Sequence, residues 1–146
     1  MGTRTFCEKQ YSEHDVLGKR KFQSFCEKQG FEYNIPNENK GIDATMIING
    51  IEYKCEIEVK KSRWKSKKDF PFHTVSFLGR KKRLHDKGPF YYFIFSYYEN
   101  AALCCNSINI YKDEYITNKF ADRKNGNADI DEYYHVPKSR VYFFTP

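Results

Sequence analysis

The sequence predicts an α/β fold, a mixed β-sheet flanked by helices, and three observations predict it. Residues 41–60, GIDATMIINGIEYKCEIEVK, alternate apolar and polar side chains on both sides of Asn49-Gly50, a pair that accepts the positive φ of a two-residue hairpin turn. Before them, residues 12–29 carry apolar side chains at helical spacing and stop at Gly30. After them, residues 90–98, FYYFIFSYY, have no wet face, are too short to span a membrane and read as a strand buried on both sides. The order is helix, hairpin, strand piece, helix, strand, strand, which builds a mixed sheet with helices on its faces.

The 146 residues suffice for a single domain, 1–146, with a core over about 12–110 and a C-terminal extension over 111–146. Apolar residues make up a modest 40%, so the core must draw its bulk from the twelve Tyr and thirteen Phe. The five Cys are scattered and odd in number, with no C-x-x-C, which argues against zinc-ligand spacing and a disulfide framework. Reduced thiols fit the cytoplasm, of a bacterial or phage-infected cell, or another reducing intracellular compartment. No secretory apolar region, no apolar run of membrane-spanning length and no lipidation signal is read, so neither a membrane nor an organic cofactor is expected as a partner.

Taken in order, residues 1–11 read as a polar lead-in. Helix one starts at Ser12, with Asp15 three residues on as a capping-box variant. Leu17, Gly18, Phe22, Phe25 and Cys26 form its apolar arc, and Gly18 would let it lie close against a sheet. His14 falls inside that arc, Asp15 near its edge and Glu13 just outside. These three groups either cap the helix and satisfy its dipole, or one of them supplies a further ligand or base. Residues 31–35 read as a short edge strand and 36–40 as a loop. Beyond the hairpin, residues 70–77 form a short extended piece. Residues 78–86 form a second helix presenting Arg80, Lys81 and Arg83, ended by Gly88-Pro89. Residues 101–110 suggest the next strand, 111–120 a helix and 121–131 a polar loop. Residues 133–144 form an extended segment that Pro137 confines to an edge.

The hairpin carries the chemistry. If Asn49-Gly50 is the whole loop, Ile48 pairs with Ile51, Ala44 with Cys55, and Asp43 with Glu56. Asp43 then shares a face with Glu56, Glu58 and Lys60, with Glu58 as its diagonal neighbour. Carboxylates so close repel unless a cation sits between them, and hard oxygen ligands suit Mg²⁺. The plainer account is a hairpin with one solvated face of mixed Glu and Lys. Asp43, a poor strand former at a strand start, favours the site.

Residues 60–87 follow directly, with eleven basic side chains against two acidic ones, a net +9 in a chain of +6 overall. The positive field is therefore local and starts where the carboxylates end. A phosphate backbone would be attracted there through Lys61, Arg63, Lys65, Lys67, Lys68, Arg80, Lys81, Lys82 and Arg83. Trp64, within the run, either stacks on a base or packs beneath the Lys stems.

Ile42-Asp43, followed after fourteen residues by Glu58-Val59-Lys60, resembles the PD-(D/E)XK motif of the restriction-endonuclease-like nuclease superfamily. The elements from about Ser12 to Ile110 resemble its αβββαβ core, with Ile42 where the motif has Pro. The resemblance implies a Mg²⁺-dependent DNA endonuclease: junction-resolving, restriction-like, homing or structure-specific. It implies metal binding by Asp43, Glu58 and the carbonyl of Val59, with Mn²⁺ able to substitute, and water or phosphate positioning by Lys60. Many members carry an acid in helix one, for which Glu13 or His14 would have to stand in. Glu56 is the rival of Glu58. Cutting both strands would call for a homodimer. The alternative is a nucleic-acid-binding protein on the same fold without catalysis.

Overall fold

The computed structural model describes residues 2–37, 41–120 and 130–146, with the side chains of residues 13–116 and 132–146 placed outside the first of these gaps. Helix α1 spans Gly2–Gln29 and Gly30 ends it at φ 73°. It begins ten residues before Ser12, since residues 3–11 contain no Pro or Gly to stop it, so Ser12 lies inside the helix and is not its first residue. Strands β1 (Glu32–Asn34), β2 (Ala44–Ile48) and β3 (Ile51–Lys60) form an antiparallel meander. Asn49 at φ 52° and Gly50 at φ 79° make the two-residue turn, and the register is the one the turn dictates: Ile48 opposite Ile51, Ala44 opposite Cys55.

Beyond β3 lie β4 (Thr74–Leu78), a 3₁₀ turn at Gly79–Lys81 and the single α-turn α2 (Lys82–His85). The helix expected over 78–86 is thus shortened. Gly79 packs against the backbone of Glu132, where a Cβ would stand 2.6 Å from that residue's carbonyl oxygen, so the chain turns there before a helix can start. Strand β5 (Tyr91–Ser96) returns parallel to β3, and β6 (Ala102–Asn106) runs antiparallel to β5.

The helix expected over 111–120 is instead a 3₁₀ turn at Asp113–Tyr115 and strand β7 (Ile116–Phe120), which takes its hydrogen bonds from β8 (Ile130–Pro137). The polar loop expected over 121–131 lies mostly outside the described residues. The segment expected at an edge divides in two. β8 is central in a three-stranded sheet, β4-β8-β7, with Pro137 as its last residue. β9 (Tyr142–Phe144) is the edge of a six-stranded mixed sheet, β1-β2-β3-β5-β6-β9.

The six-stranded sheet is buried on both faces. Phe22 and Cys26 of α1 meet Ala44, Cys55, Phe93 and Phe95 on one side. On the other, Tyr92, Ile94 and Leu103 meet Val75 and Phe77 of β4 and Tyr134 and Val136 of β8. Alternate residues of β5 therefore enter opposite cores, which is why its sequence has no polar face. Cys26, Cys55, Cys104 and Cys105 are free thiols, and among the described residues no helix is long and apolar enough to cross a membrane.

Candidate active site

The site arises where two strands of unequal length part. The β2–β3 ladder ends at Ala44–Cys55, but β3 runs on to Lys60 with a strand partner, β5, on one side only. Asp43 occupies the gap. Its carboxylate accepts the Ile57 N–H at 2.8 Å, and its own N–H donates to Glu56 Oε2 at 2.8 Å. Asp43 and Glu56 are therefore neighbours, without a bulge between them. Strand alternation carries the amide and carbonyl of Val59 to the same open edge as the Ile57 N–H, whereas the Lys60 carbonyl faces β5 and accepts the Tyr97 N–H at 2.9 Å. Ile57 and Val59 side chains lie under α1 at Gly18, where a Cβ would come within 2.9 Å of Ile57 and 3.1 Å of Val59. That close approach brings the turn of α1 that carries His14 and Asp15 to the edge of β3.

Two of the three carboxylates share Lys81, and the third is held by Tyr92 and Lys60. Glu56 is 4% exposed and ion-paired to Lys81, with Nζ 3.1 Å from Oε1; the same ammonium stands 3.8 Å from Asp43 Oδ2. Burial pushes the Glu56 carboxyl up from its ordinary value; Lys81 opposes the shift and the charge of Asp43 adds to it. Lys81 also lies over the Tyr92 ring, 5.0 Å from its centroid. Glu58 accepts the Tyr92 hydroxyl at 3.3 Å on Oε1. Its buried Oε2 accepts no hydrogen bond and has the Lys60 ammonium 3.8 Å away, while Lys60 donates to the Ser76 carbonyl at 2.9 Å.

The three carboxylates border one cleft of about 630 Å³. Asp43, Glu56, Glu58 and Val59 line it together with His14 and Asp15 of α1 and Arg80, Lys81 and Arg83 from the turn after β4; Lys60 does not line it and reaches it only through its pairing with Glu58. His14 packs against Tyr97 with ring centroids 5.4 Å apart, and its buried Nε2 has no hydrogen-bond partner. Glu13 is exposed and does not line the cleft; Lys82 is turned away to Asp86 at 3.3 Å. Lys61, Arg63, Lys65, Lys67 and Lys68 are exposed in and around the loop after β3, and Trp64 is buried against Phe70 and Phe143 rather than lying open on the surface. Sequence reasoning passed over Tyr92 as a carboxylate partner and read Lys81 only as a phosphate contact. Neither had a local signal: the first follows from the parallel pairing of β3 with β5, which sets Tyr92 beside Glu56, and the second from the crossover between them.

Among the described residues no group of three or more His, Cys, Asp or Glu side chains is gathered closely enough to hold a metal ion. Lys81 supplies the cation between Asp43 and Glu56 in this arrangement. The donor set nonetheless suits a hard cation: carboxylate oxygens, a strand carbonyl at an open edge, and a buried oxygen of Glu58 that accepts no hydrogen bond. Comparison with protein-family models, curated proteins and solved structures finds no match.

Proposed function

We propose that the chain is a divalent-cation-dependent DNA endonuclease built on a restriction-endonuclease-like core. The observation that carries this reading is the open edge of β3, where Asp43, Glu58 and Val59 border one cleft that Arg80 and Arg83 also line. Asp43, Glu58 and the Val59 carbonyl would hold Mg²⁺ or Mn²⁺. Lys81 would keep Glu56, its nearer partner, and give up Asp43. The bound ion would lower the pKa of a water and polarise a phosphoryl oxygen. Lys60 places a positive charge beside Glu58, where it would offset the charge that grows on the phosphate during attack. Arg80 and Arg83 would hold the flanking backbone.

The test is a cleavage panel of labelled duplex, flapped, branched and single-stranded DNA with Mg²⁺ and with EDTA. Cleavage should require the cation, and Asp43→Ala or Glu58→Ala should abolish it while both variants stay folded. Full cleavage by both variants would refute the assignment. The second reading is a nucleic-acid-binding protein without catalysis, and Lys81 favours it by already neutralising Asp43 and Glu56. Binding without cleavage under every metal would support that reading.

A further inference from the structure

Lys60 stands between two cavities. Its ammonium stands 3.8 Å from Glu58, which lines the cleft just described, while Lys60 itself lines a second cavity of about 710 Å³ between the two sheets. Trp64, Phe70 and Phe72 wall this second cavity. The rings are fixed edge-to-face, Trp64 to Phe70 with centroids 5.6 Å apart and Phe70 to Phe72 at 6.0 Å. Phe72 is 66% exposed, so its ring is accessible to a ligand entering this cavity. Polar groups complete the wall: Ser76 Oγ and His135 Nδ1 lie 2.9 Å apart. Arg63 stands at the mouth, its guanidinium 4.1 Å from the centroid of the exposed Tyr98 ring.

The loop bearing these rings is fastened in place. Asp69 accepts the N–H groups of Lys65 and Ser66 at 2.9 and 2.7 Å, which holds its carboxyl below the ordinary value. From the 3₁₀ turn that follows β8, Lys138 donates to the carbonyls of Lys67 and Phe70 at 3.2 and 3.4 Å. The cavity is thus preformed, as ligand sites of this size generally are.

Aromatic walls, a Ser–His pair and a lining arginine suit a flat ring with a polar edge, carried on an anionic chain. We propose that this cavity holds an unpaired nucleobase of the strand whose phosphate lies at Lys60. The substrate then carries an unpaired nucleotide beside the bond that is cut. A base inside an intact duplex is stacked and paired and cannot enter. The inference deepens the nuclease reading and rests on its nucleic-acid partner, but not on catalysis.

The chain has a single Trp, and it sits in the cavity wall, so its fluorescence reports occupancy. Binding is measured in EDTA by anisotropy, with Trp64 emission followed in the same titrations. The probes are a blunt duplex, the same duplex with an oligothymidine tail, and the same duplex with a tail of abasic sites. All should bind through the basic surface. Only the thymidine tail should quench Trp64 and add affinity. Phe72→Ala, at an exposed ring, should weaken the thymidine-tailed duplex about 10-fold, the scale of one base–aromatic contact, and leave the blunt duplex unchanged. Equal quenching by the blunt duplex, equal affinity for the abasic tail, or an equal loss on both duplexes with Phe72→Ala would each overturn the inference. If no probe binds, the inference and the nucleic-acid reading fall together. If the thymidine tail quenches Trp64 but nothing is cut in Mg²⁺, the inference stands and the nuclease reading falls.

Discussion

Glu56 shows at the level of one residue how the site balances charge. It is buried, hydrogen-bonded to the Asp43 N–H and 3.1 Å from Lys81. Removing one partner of a fully buried pair costs about 3–5 kcal/mol; Lys81 keeps some solvent, so Lys81→Met should cost about 2 kcal/mol in EDTA by urea unfolding. If the carboxylates also take a metal, Mg²⁺ should raise the melting temperature of Lys81→Met more than that of the native chain, because an ion then replaces the missing charge. An identical response in the two proteins would count against a metal at Asp43. Glu56 itself is held above its ordinary pKa, so folding favours its protonated form. The contribution of Glu56 to stability is therefore fully present below its unfolded-state pKa and is lost as pH rises through its folded-state pKa. Glu56→Gln removes that dependence. In EDTA its melting temperature should gain on the native chain's as pH rises to neutrality, and the gain should vanish in acid. A gap that widens toward acid would contradict the sign.

Among elements, the helix–strand contact at Gly18 sets where the edge of β3 lies. A side chain there would meet Ile57 and Val59 at 2.9 and 3.1 Å, both branched and held by the strand. Gly18→Val should destabilise the fold by about 1–3 kcal/mol through overpacking. It should also reduce cleavage, because Val59 borders the cleft; unchanged chemical stability would mean that α1 shifts without strain. The hairpin was legible in the sequence because Asn49-Gly50 fixes the register locally and each strand alternates. The central strand was legible because both its faces are apolar. What could not be read were pairings between distant residues. Residues 116–120 are polar enough to suit a helix, but β8 supplies a ladder for them. The stretch at 78–81 loses its helix to the contact of Gly79 with Glu132, 53 positions away in the chain by their numbers. Lys81 reaches Glu56 only because the crossover from β3 to β5 folds back over the carboxylates, so its place at the site was invisible in a basic run.

Across the whole molecule the basic stretch is divided between two surfaces. Its first part, after β3, walls the aromatic cavity, and its second part, at the turn before α2, walls the carboxylate cleft. Of the second group Lys81 is committed to Glu56 and Asp43, and Lys82 to Asp86. Arg80 and Arg83 are exposed and line the cleft, and under the proposed function they would be the cations that meet phosphates there. Each phosphate neutralised on a duplex contributes about −0.9 to the slope of log affinity against log salt concentration. The double variant Arg80→Gln/Arg83→Gln should therefore flatten that slope by roughly 2 for a blunt duplex in EDTA, and weaken binding about equally for every sequence. Because neither arginine touches the carboxylates, its melting temperature should stay near that of the native chain. A lost slope with native stability would place the backbone along this wall and across the Asp43–Glu58 edge. An unchanged slope would move the duplex off the wall altogether, since no counterions would then be released there.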